Sequence, residues 1–141
     1  MVTARFLLDT NVLSEPLRPR PDPQVVARLE ANRGQLATAA MVAHELLFGW
    51  EKLPPSRKKE AIGAYLEGLL ASTMPILPYD LEAARWHARE RARLERLGRP
   101  VSYRDSQIGA VARTRGLILV TANVGHFSPL SELEVEDWTH P

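Results

Sequence analysis

The run Phe6-Leu7-Leu8, followed at once by Asp9-Thr10-Asn11, constrains this chain more than any other stretch. Three apolar residues are too few for a buried helix. With polar residues directly after them, they suit a central strand buried on both faces. Such a strand needs helices on either side of its sheet, and the remaining sequence must supply them. The run also ends on a carboxylate. Ligands of open α/β sheets bind outside the carboxyl ends of the strands, which makes Asp9 a candidate functional group. Aspartate is equally a good helix N-cap, so the stretch alone leaves both readings open.

The sequence after Asp9 alternates helical and extended patterns. Residues 10–17 read as a short helix that stops before the proline-rich loop at 18–23. A second helix is expected over about 23–32, ended by Gly34, and the small residues 36–40 form a second strand. The segment from about 41 to 53 is apolar nearly all round, which implies a buried helix; Pro54-Pro55 ends it. An amphipathic helix starts at Ser56, with Ile62, Leu66, Leu69 and Leu70 as its core stripe. Residues 75–79 are a strand whose prolines suit an edge. Asp80 caps an arginine-rich helix running to about Leu97, and Ser102 caps another that ends near Gly116. The β-branched run 117–121 is the clearest strand, and the tail from Leu133 to Trp138 adds a last one. Strand, helix and strand in this order imply right-handed crossovers, and hence a three-layer α/β/α fold around a mainly parallel sheet. The chain of 141 residues, without internal repeats, is expected to be a single domain over 1–141.

The absence of cysteine excludes disulfides, thiolate zinc sites and cysteine nucleophiles, so any metal must be held by oxygen or imidazole. No apolar run approaches the roughly 20 residues of a membrane helix, and the N-terminus has no signal-peptide pattern, so a soluble cytoplasmic protein is expected. The net charge of +1 says little, but its distribution is uneven. Arginines crowd the stretch from Arg85 to Arg115, and the tail carries Glu132, Glu134, Glu136 and Asp137. The band can contact a phosphate backbone, or it can be a solvated face paired with Glu82, Glu90 and Glu95.

Three acids remain after solvated positions are set aside. Glu45 has Met41, Val42, Phe48 and Gly49 as its helical neighbours, so its carboxylate faces an apolar environment and needs compensation by an arginine or a metal ion. Asp105 lies in the first turn of its helix, where capping or metal binding both account for an anion. A doubly wound sheet can bring Asp9, Glu45 and Asp105 to one edge. Converging carboxylates select hard cations such as Mg²⁺ or Mn²⁺, and magnesium sites act on phosphates. His44 and His87 read as packing residues, and Trp50, Trp86 and Trp138 as core or interface residues rather than base-stacking platforms.

With these residues in place, the chain resembles PIN-domain ribonucleases, and within them VapC-type toxins including the FitB-like branch. The likeness rests on Leu7-Leu8-Asp9-Thr10-Asn11-Val12-Leu13, the helical Glu45, the stretch Tyr103-Arg104-Asp105-Ser106-Gln107-Ile108-Gly109-Ala110, and Thr121-Ala122-Asn123-Val124-Gly125-His126-Phe127. The resemblance implies a Mg²⁺- or Mn²⁺-dependent endoribonuclease that uses metal-activated water. It also implies a homodimer held inactive by a VapB-like antitoxin. On this analogy Asp9, Glu45 and Asp105 are metal ligands, Asn123 orients a metal-bound water, and Thr10, Asn11 and Thr121 support the acids. Family members often carry a fourth acid where this chain has Asn123 or His126, which leaves one or two metal ions open and makes His126 a possible ligand or phosphate contact.

Two other readings compete. A catalytically silent PIN-like protein that binds RNA or a partner accords with the missing fourth acid. A receiver-like phospho-acceptor domain also gathers acids at strand ends, but it requires an acid pair at the first strand and a late lysine, and this chain has no lysine beyond Lys59.

Overall fold

The structure is a computed structural model and describes residues 3–139. Its centre is β1 (Phe6–Leu8), a strand with all three side chains buried. It pairs in parallel with β2 (Leu36–Ala39) on one side and with β4 (Ile118–Val120) on the other. β3 (Ile76–Leu77) lies outside β2, and β5 (Val135–Glu136) outside β4, giving the order β3-β2-β1-β4-β5 with every pairing parallel. The sheet expected to be mainly parallel is thus parallel throughout the described residues.

The helices are α1 (Thr10–Leu13), α2 (Pro23–Ala31), α3 (Ala40–Glu51), α4 (Arg57–Ala71), α5 (Leu81–Arg96), α6 (Tyr103–Thr114) and α7 (Val124–Phe127). The chain winds outward from β1 through β2 to β3, then returns across the sheet to β4 on the opposite side. Right-handed crossovers therefore put the helices before β3 on one face and those after it on the other. The strand order reverses beside β1, so the carboxyl ends of β1 and β4 mark the place where open α/β sheets form their ligand-binding crevice.

The local chemistry follows the sequence closely. Asp22, Ser56, Asp80 and Ser102 each accept a backbone N–H at the start of α2, α4, α5 and α6. Gly116 adopts φ 67°, a left-handed turn between α6 and β4 that a residue without Cβ enters without strain. Trp138 and Trp86 are buried, and the Trp138 ring meets Phe6 edge-on at 5.2 Å. Trp50 is half-buried between α3 and α4, where its Nε1 donates to the Lys59 carbonyl at 2.8 Å.

Several expectations need correction. The single helix over 10–17 is α1 followed by a tight 3₁₀ turn, Glu15–Leu17, because Pro16 removes a backbone donor. The strand over 75–79 contracts to the two-residue edge strand β3, with a proline on each flank. The buried helix expected from α3 buries only Val42, and Phe48 is 54% exposed. In α4 only Leu66 of the expected stripe is fully buried, and Leu70 is 40% exposed. An apolar pattern identifies a face that avoids water but not what covers it, and on α3 much of that face is uncovered in the monomer.

Candidate functional site

Asp9 leaves β1 at the reversal point and is 1% exposed. Its capping role is realised, and its second oxygen is engaged as well. Its Oδ1 accepts the Thr10 N–H at 2.7 Å and so caps α1, while Oδ2 accepts the Thr121 hydroxyl at 2.9 Å. Thr121 follows β4, so this bond closes the crevice between the two strands. Asn11 reinforces the closure: its amide reaches Thr121 Oγ1 at 3.4 Å, and its Oδ1 accepts the Ala122 N–H at 3.0 Å. Both oxygens of Asp9 are thereby held in fixed directions, a condition for any group that must present a lone pair to a cation.

Glu45 comes from α3 and Asp105 from the first turn of α6. They meet Asp9 through the Arg104 guanidinium. Its Nη2 lies 2.7 Å from Asp9 Oδ1 and 2.8 Å from Glu45 Oε1, and its Nη1 lies 2.6 Å from Asp105 Oδ1. Nε also donates to Glu45 Oε1 at 2.8 Å, and Nη2 to Thr10 Oγ1 at 3.0 Å. The Thr10 hydroxyl is in turn 3.3 Å from Glu45 Oε1. Burial disfavours the charged guanidinium, but its hydrogen bonds to Glu45, Asp9 and Asp105 outweigh that cost and hold its pKa above the ordinary arginine value.

Glu45 does not lie in the apolar surroundings expected of it. Its side chain is 36% exposed, because the neighbouring face of α3 is itself open. The positive charge that faces it in the structure is Arg104. Arg104 is also the site residue that sequence reasoning missed. The available signal was its place in the first turn of α6, where the helix macrodipole opposes a cation unless acids surround it.

The fourth corner is different in kind. Asn123 is exposed, and its backbone N–H, not its amide, contacts the site by donating to Thr121 Oγ1 at 3.1 Å. The residues after Asn123 form the short helix α7, which carries His126 to 3.8 Å from Asp105 Oδ2 with the imidazole 65% exposed. Among the described residues, no three of the His, Asp and Glu side chains are arranged to hold a metal ion as they stand. Arg104 accounts for this: it spaces the three carboxylates around itself. The donor set still fits a hard cation, since three carboxylates face one positive charge and converge on one seat.

The other buried acids have structural partners. Glu15 accepts the Asp22 N–H at 2.8 Å and pairs with Arg18 at 3.2 Å. Glu90 accepts the Ser131 N–H at 2.7 Å and pairs with Arg93 at 2.8 Å. Four of the nine arginines from Arg85 to Arg115 form pairs of this kind: Arg93, Arg91 with Glu95, Arg113 with Glu132 and Arg115 with Asp80. His87 is buried as expected, with Nδ1 2.7 Å from the Tyr79 hydroxyl. His44, expected to pack, is exposed and stacks on Phe48.

The profile of the PIN domain matches residues 6–129, from β1 through α7. The chain belongs to the PIN-domain family. This PIN domain is 37% identical over 135 residues to the tRNA(fMet)-specific endonuclease VapC of Shigella flexneri, covering 96% of this chain and 98% of the relative. It superposes on the crystal structure of FitAcB from Neisseria gonorrhoeae with a TM-score of 0.88 at 32% identity, covering 96% of this chain and 99% of that one. The DNA-bound VapBC of Salmonella typhimurium matches with a TM-score of 0.82 at 32% identity, over 96% and 98% of the two chains. The matched segment of this PIN domain contains every acid that meets Arg104.

Proposed function

We propose that this chain is a VapC-type toxin, an endoribonuclease that hydrolyses RNA with Mg²⁺ or Mn²⁺ and is neutralised by a VapB-like antitoxin. The observation that carries the reading is the convergence of Asp9, Glu45 and Asp105, from three separate elements, on one cation seat at the reversal point of a PIN-domain sheet. Asp9, Glu45 and Asp105 would hold the ion. When bound, it supplies Lewis acidity, lowering the pKa of an attacking water and offsetting the charge of the phosphate. The protein's own contribution is orientation. Thr10 and Thr121 fix the two oxygens of Asp9, and Asn11 fixes Thr121. Asn123 keeps this threonine anchored through its backbone N–H. His126, beside Asp105 at the open rim, can meet the substrate phosphate or pass a proton.

The half-exposed apolar face of α3 gives a partner something to cover, and the Neisseria and Salmonella relatives were solved as FitAcB and VapBC. We place the antitoxin there, assign the toxin as a homodimer, and locate it in the cytoplasm with its RNA; among the described residues no helix is long and apolar enough to cross a membrane. The Shigella relative is named for tRNA(fMet), which makes initiator tRNA the first substrate to test.

The deciding experiment compares cleavage of this tRNA by the wild type and Asp9→Asn, with Mg²⁺ or Mn²⁺ and with a chelator. The wild type should cut only with metal. Asp9→Asn should lose at least about a hundredfold in rate while keeping its circular dichroism spectrum, because asparagine retains the capping oxygen but not the charge. Equal metal-dependent cleavage by both proteins rejects the mechanism. A second reading, a silent PIN-like RNA- or partner-binding protein, is favoured by the guanidinium in the seat and by Asn123 and His126 at the fourth corner. Wild-type protein that binds RNA or its partner but cuts no RNA with either metal would establish that reading.

A further inference from the structure

The three acids expected to bind a metal are all engaged by one side chain of the same protein. Arg104 contacts Asp9 Oδ1, Glu45 Oε1 and Asp105 Oδ1 at 2.6–2.8 Å. We propose that Arg104 is an internal competitor of the metal, holding the carboxylates together in the metal-free protein and leaving the seat when a divalent ion takes the same oxygens. The inference rests on the metal-site reading above.

Geometry makes the two occupants mutually exclusive. Magnesium binds oxygen at about 2.0–2.1 Å and draws its ligands inward, whereas the guanidinium holds them apart at hydrogen-bond distance. A single nitrogen, Nη2, lies within hydrogen-bond distance of both Asp9 Oδ1 and Glu45 Oε1, so oxygens that would hold a divalent ion are already engaged by the guanidinium. Charge explains why some cation is needed. Three carboxylates around an empty, partly buried seat repel one another, and Arg104 relieves that repulsion in the absence of metal. A divalent ion brings twice the charge to the same oxygens.

The guanidinium also has a way out. The Arg104 side chain is 34% exposed, and it grows from the first turn of α6 at the rim of the crevice. Rotation about its flexible stem moves the head into solvent without moving the helix. Once released, it stands at the mouth of the site, where a substrate phosphate is a matching bidentate partner. The expected cost of this arrangement is weaker metal binding by the wild type than the three acids alone would give.

Calorimetric titration of Mn²⁺ into wild type and Arg104→Gln tests the exchange. The variant should bind Mn²⁺ about tenfold tighter or more. Its metal-free form should melt about 3–5 °C lower than the wild type, and saturating metal should narrow that gap. An independent measurement needs no variant: in wild-type protein, Mn²⁺ replaced by diamagnetic Mg²⁺, the Arg104 Nε–H resonance should lose its exchange protection as metal is added. Equal or weaker metal binding by folded Arg104→Gln overturns the inference, as does an Nε–H that stays protected at saturating Mg²⁺. If neither protein binds metal, the metal-site reading itself fails and the exchange falls with it; if both bind equally, only the exchange fails.

Discussion

At the scale of single residues, the most telling comparison is between Asp9 and Arg104. Asp9 was legible in the sequence because a strand end, a capping position and a carboxylate coincide there, and in the structure one oxygen caps α1 while the other accepts the Thr121 hydroxyl. Arg104 was not, because its neighbours in the fold, Asp9 and Glu45, lie 95 and 59 residues away, and a long flexible side chain carries no periodicity of its own. His126 offers a separate test at this scale. Its Nδ1 is 3.8 Å from Asp105 Oδ2, so His126→Asp brings a fourth carboxylate to the seat. Mg²⁺ affinity should rise several-fold in a calorimetric titration; an unchanged value would mean that position 126 does not face the ion. The sequence identified this corner as altered, but only the structure shows that the short helix α7 brings the imidazole within 3.8 Å of Asp105.

At the scale of elements, the placement of α7 depends on a latch from α5. Glu90 accepts the Ser131 N–H, and Arg93 donates both to Glu90 and to the Pro129 carbonyl at 2.9 Å. The Arg93 hydrogen bond outweighs the effect of burial and, with the Ser131 N–H, holds the Glu90 pKa down at about 2. Because the folded value lies below the unfolded one of 4.5, the latch stabilises the protein fully above about pH 4.5 and is lost as pH falls toward 2. Glu90→Gln should therefore cost about 1–2 kcal/mol at pH 7, and the difference from wild type should shrink on acidification in urea melts. A constant difference from pH 7 to pH 3 would show that the charge is not the source. The helix α3 teaches another lesson. Its apolar pattern was legible and its exposure was not, since a face that buries against a partner and one that buries against its own core are written alike. Phe48→Ser should change the melting of the isolated chain by less than about 0.5 kcal/mol, yet weaken antitoxin binding at least about tenfold. Loss of stability without loss of binding would relocate the partner.

At the scale of the whole molecule, the alternation of strand and helix was enough to anticipate a parallel three-layer fold, because crossover handedness leaves few alternatives. The order β3-β2-β1-β4-β5 needed the structure, since nothing local distinguishes a strand that adds outside β2 from one that returns beside β1. That order also bears on when the site comes into being. The bond from Thr121 to Asp9 spans 112 residues, and β1 acquires its β4 neighbour only after the helices and strands between them have been made. A nascent chain thus carries Asp9 long before Thr121, and cannot close the pocket around that acid until β4 has emerged and paired. In a protein that cuts RNA, the fold itself delays assembly of the site until β4 and the threonine after it have joined the sheet.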